Sequence, residues 1–372
     1  MHNKNISGAT LCIIKDGEII IKKGYGYSNY SERTSVNPDE TLFRIGSVSK
    51  LFVWLAVMQQ VERGNLDLNR DINDYLVDFK IPNTFEGPIT LTHLMSHTPG
   101  FEDRLIKLFT LDPNEIKLLS EVLKDQIPAR IRPAGLHASY SNHGTAIAAH
   151  IVEIVSGMSW DDYVEKNIIF PLGLKSTTFR QPLPESLAPF MSNGYKYVAG
   201  EMVEKPFEII PLSPAGAATT NASDMAVFMQ MILNRGSYNG VEILDTATFN
   251  LMMKPVMFHA EGVNPCRFGF MDVSHKGVKI IGHGGDTFWF HSLLALIPDQ
   301  DFGLFLSFNS DGGGGTYVEV FDKFFDQFLV ENFEPLPAIK LATEDLKKFE
   351  GEYMVNRYPH NDYLKLISLM AR

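Results

Sequence analysis

Short β-branched apolar runs lie near the two ends of the chain, and helical spacing of apolar residues fills its middle. From Ala9 to Lys23 the sequence ATLCIIKDGEIIIKK sets two such runs around Asp16-Gly17, a dipeptide suited to the positive φ angles of a tight turn, and predicts an antiparallel hairpin. Ser47 to Glu62 predicts a helix with an apolar face through Leu51, Trp54, Leu55, Met58 and Val61, and with Gly64 as its stop. Residues 65 to 200 are loop-rich and mainly helical, most clearly in LTHLMSH, NEIKLLSEVLKD and GTAIAAHIVEIVSG. SDMAVFMQMILN predicts another helix, capped by Ser223 or Asp224. Strand character returns at Gly277 to Gly282 and continues through FWFHSLLALIP and DFGLFLSFN, with a polar turn at Asp299-Gln300-Asp301. An amphipathic helix, VEVFDKFFDQFL, follows. Strands at both ends with helices between them predict an α/β sheet domain carrying a large, mainly helical insertion.

The 372 residues carry 33 basic and 44 acidic side chains, a formal charge of -11, with 45% hydrophobic residues. At about 150 residues per domain that length allows two to three units or one large enzyme domain, and the composition is that of a globular protein. The negative charge and the lack of a Lys/Arg block argue against nucleic acid as a partner. No apolar stretch approaches the roughly 18 residues needed to span a bilayer. The start, MHNKNIS, lacks the apolar region of a signal peptide, which leaves open an exported protein whose leader has been removed. Cys12 and Cys266 read as buried small hydrophobes rather than a disulfide, and the eleven histidines show no metal-ligand spacing. Beyond Pro335 a linker gives way to a short helix and a strand, either a terminal arm packed on the main domain or the start of a further domain. Gly312 to Gly315 read as a flexible strand-to-helix loop, since no phosphate-binding pattern accompanies them.

Three short motifs carry candidate chemistry. Ser47-Val48-Ser49-Lys50 is the one S-x-x-K of the chain, and at the first turn of a helix residues three apart share a face, so the Lys50 amine reaches the Ser47 hydroxyl. Taken alone, a cap at Ser47 and a solvated Lys50 fit equally well. Tyr140-Ser141-Asn142 precedes a helix, and a phenol there becomes a base if a cation such as Lys50 holds it ionised or shares its proton. The identical Tyr27-Ser28-Asn29 reads as a turn after the hairpin. His283-Gly284-Gly285 ends a predicted strand, where two glycines let a substrate lie against the backbone; a bulge with an incidental His is the plain alternative. No G-x-S-x-G elbow occurs.

In order and in setting, these motifs resemble those of the serine β-lactamase and penicillin-binding-protein superfamily, closest to its class C-like branch of D-aminopeptidases and esterases. LTHLMSHTPGF and IVEIVSGMSWDDYVEKNIIFPLGLKSTTF are similar to further segments of that family, and the likeness covers about residues 7 to 332. It implies an antiparallel sheet flanked by helices: a hydrolase domain over 1–332, with a sheet subdomain at about 1–46 and 205–332, a helical subdomain at about 47–204, and a linker and arm at 333–372. It implies Ser47 as an acylated nucleophile, Lys50 and Tyr140 exchanging its proton, and Asn142 orienting Lys50 and the substrate. The Ser47 and Asp286 N–H groups would form an oxyanion hole, and Gly284, Gly285 and Asp286 would border the substrate. No metal or organic cofactor is implied; the partner is a small-molecule or short peptide substrate, and export or cell-envelope association is the expected setting. The departure is His283, where the family commonly carries Lys: a His, with pKa near 6.5, grips a substrate carboxylate poorly at neutral pH. Asp286 would take either a substrate amino group or a turn, and Phe288, Trp289 and Phe290 would wall the cleft with at least one in the core. The expected activity is hydrolysis of amide or ester bonds of small or D-amino-acid substrates. The alternatives are a penicillin-binding sensor or carboxypeptidase-like protein acylated by β-lactams with little turnover, and an inactive scaffold.

Overall fold

The structure is a computed structural model, and it describes residues 2–329, 341–353, 355–361 and 364–366. The hairpin forms where expected. Asp16 (φ 52°) and Gly17 (φ 76°) turn strand β1 (Gly8–Lys15) into β2 (Glu18–Asn29). Tyr27-Ser28-Asn29 belongs to the end of β2 rather than to a turn.

Strands β3 (Ile281–Asp286), β4 (His291–Ile297) and β5 (Phe302–Phe308) form a meander, and β5 pairs antiparallel with β1 from Ala9–Phe308 to Lys15–Phe302. The spatial order is therefore β3-β4-β5-β1-β2, with short strands extending both edges to nine in all among the described residues. The pairings within this sheet are antiparallel. The turn at Asp299-Gln300-Asp301 closes β4 onto β5 with Asp301 at φ 45°. The third strand begins four residues later than the run GVKIIG suggests, so His283-Gly284-Gly285 lies inside β3 and not at its end.

β5 is buried on both faces because helices cover each side of the sheet. On one side helix α4 (Thr316–Phe328) lays Phe321 and Phe325 against Ile13, Leu304 and Leu306. On the other, α1 (Lys50–Glu62), α2 (Asn142–Ser156) and α3 (Ala222–Leu233) build the larger core with Cys12, Ile14, Leu294 and Phe305. Helix α1 departs from its predicted single apolar face: every residue from Lys50 to Gln60 is buried. A helix packed on all sides shows no stripe. Its two glutamines find partners inside, Gln59 in the Asn167 and Ile243 carbonyls and Gln60 in the Tyr163 hydroxyl. Asn221, not Ser223 or Asp224, caps α3 through the Asp224 N–H, while the Ser223 hydroxyl bonds to Asp39.

Cys12 is fully buried and its thiol is pushed up to about 12 by burial, as a small hydrophobe would be. Cys266 is only half-buried, with its sulfur 3.7 Å from His259 Nε2, and both cysteines are free. The glycine run is a packed turn rather than a flexible loop: a Cβ at Gly312 would lie 1.8 Å from the Lys4 carbonyl oxygen. Past residue 340 a short exposed helix spans Thr343–Lys347, and no strand occurs among the described residues there. The Pro-containing linker at 335–340 lies outside the described residues.

One contact ties the two layers together. A Cβ at Gly285 in β3 would sit 1.9 Å from the Ile45 carbonyl oxygen, on the turn that leads into α1. Backbone cannot yield there as a flexible side chain would. Gly285→Ala is expected to lower the unfolding free energy by about 2 kcal/mol or more in urea denaturation; an unchanged midpoint would contradict this packing.

Candidate active site

The turn before α1 is a 3-10 helix, Gly46–Ser49, running directly into Lys50. Residues i and i+3 eclipse in that geometry, which brings Lys50 Nζ to 3.0 Å from Ser47 Oγ. Lys50 also donates to the Ala215 carbonyl, so that carbonyl, and not Asn142, supplies its second hydrogen bond. The Ser49 hydroxyl donates to the Gly46 carbonyl and accepts from Ala218 N–H at 3.0 Å, and Ile45 N–H donates to the Ala218 carbonyl at 3.0 Å. Ser47 is thus not a helix cap, and Lys50 is not solvated.

Gly46 has φ 50°, and a Cβ there would meet the Asp286 nitrogen at 2.6 Å. A Cβ at Gly285 would meet the Ser47 nitrogen at 3.0 Å. The two amides expected to receive an oxyanion are neighbours because both residues between them lack side chains. The glycines of the H-G-G motif therefore divide their work. Gly285 admits the backbone of the Ser47 turn, whereas Gly284 borders the cleft beneath Tyr317.

The cleft has a volume of about 510 Å³ and brings together Ser47, Tyr140, Asn142, His283, Gly284 and Asp286. Ser141 caps α2 by accepting from Gly144 N–H, which places Tyr140 just before the helix and Asn142 on its first turn. The Tyr140 ring lines the cleft while its hydroxyl is shut off from solvent. Burial raises the phenol's pKa; proximity to the Ser47 hydroxyl, outside normal hydrogen-bond geometry, and to Arg357 opposes the rise without reversing it. Lys50 moves the other way. Burial, and then the Arg357 charge, hold it well below the usual lysine range, against a smaller pull from Asp103. Burial therefore pushes both groups toward their uncharged forms, the phenol and the amine, and away from the cation-held phenolate considered from sequence.

His283 is buried and lowered to about 4, first by burial and then by Lys50. Its Nδ1 faces the Gly284 carbonyl, which makes Nδ1 the protonated nitrogen and leaves Nε2 a bare acceptor. The family's cation at this position is absent in charge as well as in name. Asp286 ends β3, with Oδ1 2.7 Å from His291 Nδ1 and Oδ2 accepting from the Tyr317 hydroxyl at 3.1 Å. Of the three aromatics after it, Phe290 enters the core and Phe288 is exposed, its ring 4.5 Å from that of Phe109, which borders the cleft.

Several site groups carried no sequence signal. The Ala215 carbonyl acts through backbone alone. Tyr317 and Arg357 lie beyond the last motif, and Arg357 also lines the cleft. His97, within the LTHLMSHTPGF segment, accepts from Ser141 N–H and packs its ring 4.4 Å from that of Tyr140.

The family model described as Beta-lactamase matches residues 1–322. Penicillin-binding protein 4 of Amycolatopsis lactamdurans is 28% identical over 345 residues, 84% of this chain and 82% of that protein. Protein flp of Staphylococcus aureus is 24% identical over 82% of this chain, which spans only 60% of that relative. An octameric penicillin-binding protein homologue from Pyrococcus abyssi superposes with a TM-score of 0.75 at 25% identity, over 88% of this chain and 75% of that one.

Two histidines kept neutral by burial make stability depend on acid. His283 titrates at about 4 and His143 at about 3, against about 6.5 in an unfolded chain. Below about 6.5 the unfolded state binds the extra protons first, so both contributions are present above that pH and are lost as it falls toward 4. The thermal midpoint should drop from pH 7 to pH 4, and His143→Asn should flatten the drop; a midpoint constant over that interval would refute it.

Proposed function

Because the chain belongs to the beta-lactamase family, we propose that it is a serine hydrolase cleaving amide or ester bonds through an acyl-enzyme on Ser47. The observation that carries this is the 3.0 Å contact of a buried Lys50 amine with the Ser47 hydroxyl. An amine held well below its usual range is more readily available as a base. As Ser47 Oγ attacks the substrate carbonyl, Lys50 takes its proton. The oxyanion that develops lies toward the Ser47 and Asp286 N–H groups, each such donor contributing on the order of 3 kcal/mol in serine hydrolases.

The leaving group then needs a proton. The Tyr140 hydroxyl, neutral and near Ser47, is the donor suited to pass it on, and recovers one from Lys50. Water attacking the acyl-enzyme reverses the relay. Asn142 borders the bound substrate from the first turn of α2. Small esters and D-amino-acid amides fit this cleft better than a substrate anchored through a lysine at the H-G-G position, since His283 is uncharged there. A protein acylated by β-lactams with little turnover is the second reading, supported by what the Amycolatopsis relative is called.

Intact-mass analysis after a fluorophosphonate and after a penicillin separates these. The wild-type chain should gain one adduct and Ser47→Ala none; label retained in that variant would remove the nucleophile. Lys50→Ala should slow hydrolysis of p-nitrophenyl esters ~10³-fold and Tyr140→Phe ~10²-fold, the range of a lost general base or acid. A penicillin adduct that persists while esters are untouched would favour the second reading.

A further inference from the structure

The cleft holds a permanent cation supplied from far outside the three motifs. Backbone bonds on both sides hold Arg357 there: the Glu102 carboxylate accepts from His360 and Asn361 N–H at 2.8 Å each, and the Asn356 carbonyl accepts from Arg132 at 3.0 Å and Ser139 at 3.2 Å. Asp103 N–H donates to the Tyr358 carbonyl at 3.2 Å. The guanidinium carbon lies 4.9 Å from the Tyr140 ring centre, and Nε pairs with the nearly buried Asp103 carboxylate at 2.7 Å. The remaining N–H groups have no hydrogen-bond partner among the described residues, and 42% of the side chain is exposed. Among the described residues lining the cleft it is the one permanent cation: no other Arg or Lys lines it, and burial favours the neutral form of His283.

Building on the reading of Ser47 as nucleophile, we infer that Arg357 is a specificity-determining residue that receives a carboxylate carried by the substrate. Asp103 holds the guanidinium in an ion pair at Nε and leaves the terminal amino groups to form the two parallel bonds that match a carboxylate. Asp286 stands on another wall of the same cleft and repels an anion, so the two charges select one orientation. A simpler role, stapling the segment through Asp103, predicts no preference among substrates.

The test compares mono-p-nitrophenyl glutarate with p-nitrophenyl valerate, esters that differ mainly in a terminal carboxylate, in the full chain and in Arg357→Gln, Arg357→Lys and Ser47→Ala. The ratio of the two kcat/KM values cancels any effect of Arg357 on Lys50, which both substrates feel alike. Arg357→Gln should lower the glutarate-to-valerate ratio about 10- to 100-fold, the worth of a charge-assisted pair, with partial recovery in Arg357→Lys. An unchanged ratio overturns the inference, whether or not both rates fall. Hydrolysis that survives Ser47→Ala, or none at all, sinks the nucleophile instead. Calorimetry of phenylacetate against phenylacetamide then decides: tighter binding of the anion that Arg357→Gln abolishes upholds the inference, and equal binding ends it.

Discussion

The site depends on a backbone-to-backbone contact between a turn and a strand. The 3-10 turn carrying Ser47 presses onto β3 so closely that neither Gly46 nor Gly285 has room for a single carbon. That contact joins the layer built around α1 to the sheet, and it sets two amide nitrogens side by side where the turn meets the strand. Placement by backbone is stiffer than placement by side chains, because it has no rotamers to lose. The position of Ser47, the proposed nucleophile, is therefore a property of the fold's layering, fixed by backbone rather than by the side chains around it.

Burial then does the chemical work that ion pairing does in other sites. Lys50, Tyr140 and His283 are each displaced from their ordinary titration chiefly by loss of water, and in each case toward the neutral form. A base made this way needs no charged partner in contact with it. The proposed relay would then run through groups biased toward neutrality, with charge appearing as the reaction proceeds, inside surroundings of low dielectric where nearby donors act strongly.

What the sequence reveals follows from how far each feature is determined locally. The hairpin at Asp16-Gly17, the strands β4 and β5 and the helices α2, α3 and α4 are announced by turn residues and by a hydrophobic period. Helix α1 loses its stripe because every side is covered, so its pattern suggests an exposed face that does not exist. Strand β3 starts late because Lys276 (φ 48°) and Gly277 (φ 78°) make a turn that bridges His275 to Val278 before it. Within the site, Ser47, Lys50, Tyr140, Asn142 and His283 sit in short motifs, and the structure gathers four of them around one cleft with Lys50 buried behind Ser47. The Ala215 carbonyl and the protonation states cannot be found that way. The first is backbone that any residue would offer, and the second arises from three-dimensional exclusion of water.

Arg357 belongs to a third kind of feature, a long-range electrostatic one. Its charge bears on Lys50 and on Tyr140 in the same sense: repulsion favours the uncharged amine and attraction favours the ionised phenol, so both groups are biased toward losing a proton. Asp103 opposes it on both groups, which makes the Arg357–Asp103 pair a tuned dipole rather than a bare charge beside the relay. A segment that supplies the positive end of this dipole from outside the matched 1–322 region couples the acid–base balance of the cleft to its own docking on Glu102. The same docking presents the remaining guanidinium N–H groups to whatever occupies the cleft, so the proposed proton transfer and the proposed substrate choice share one physical support.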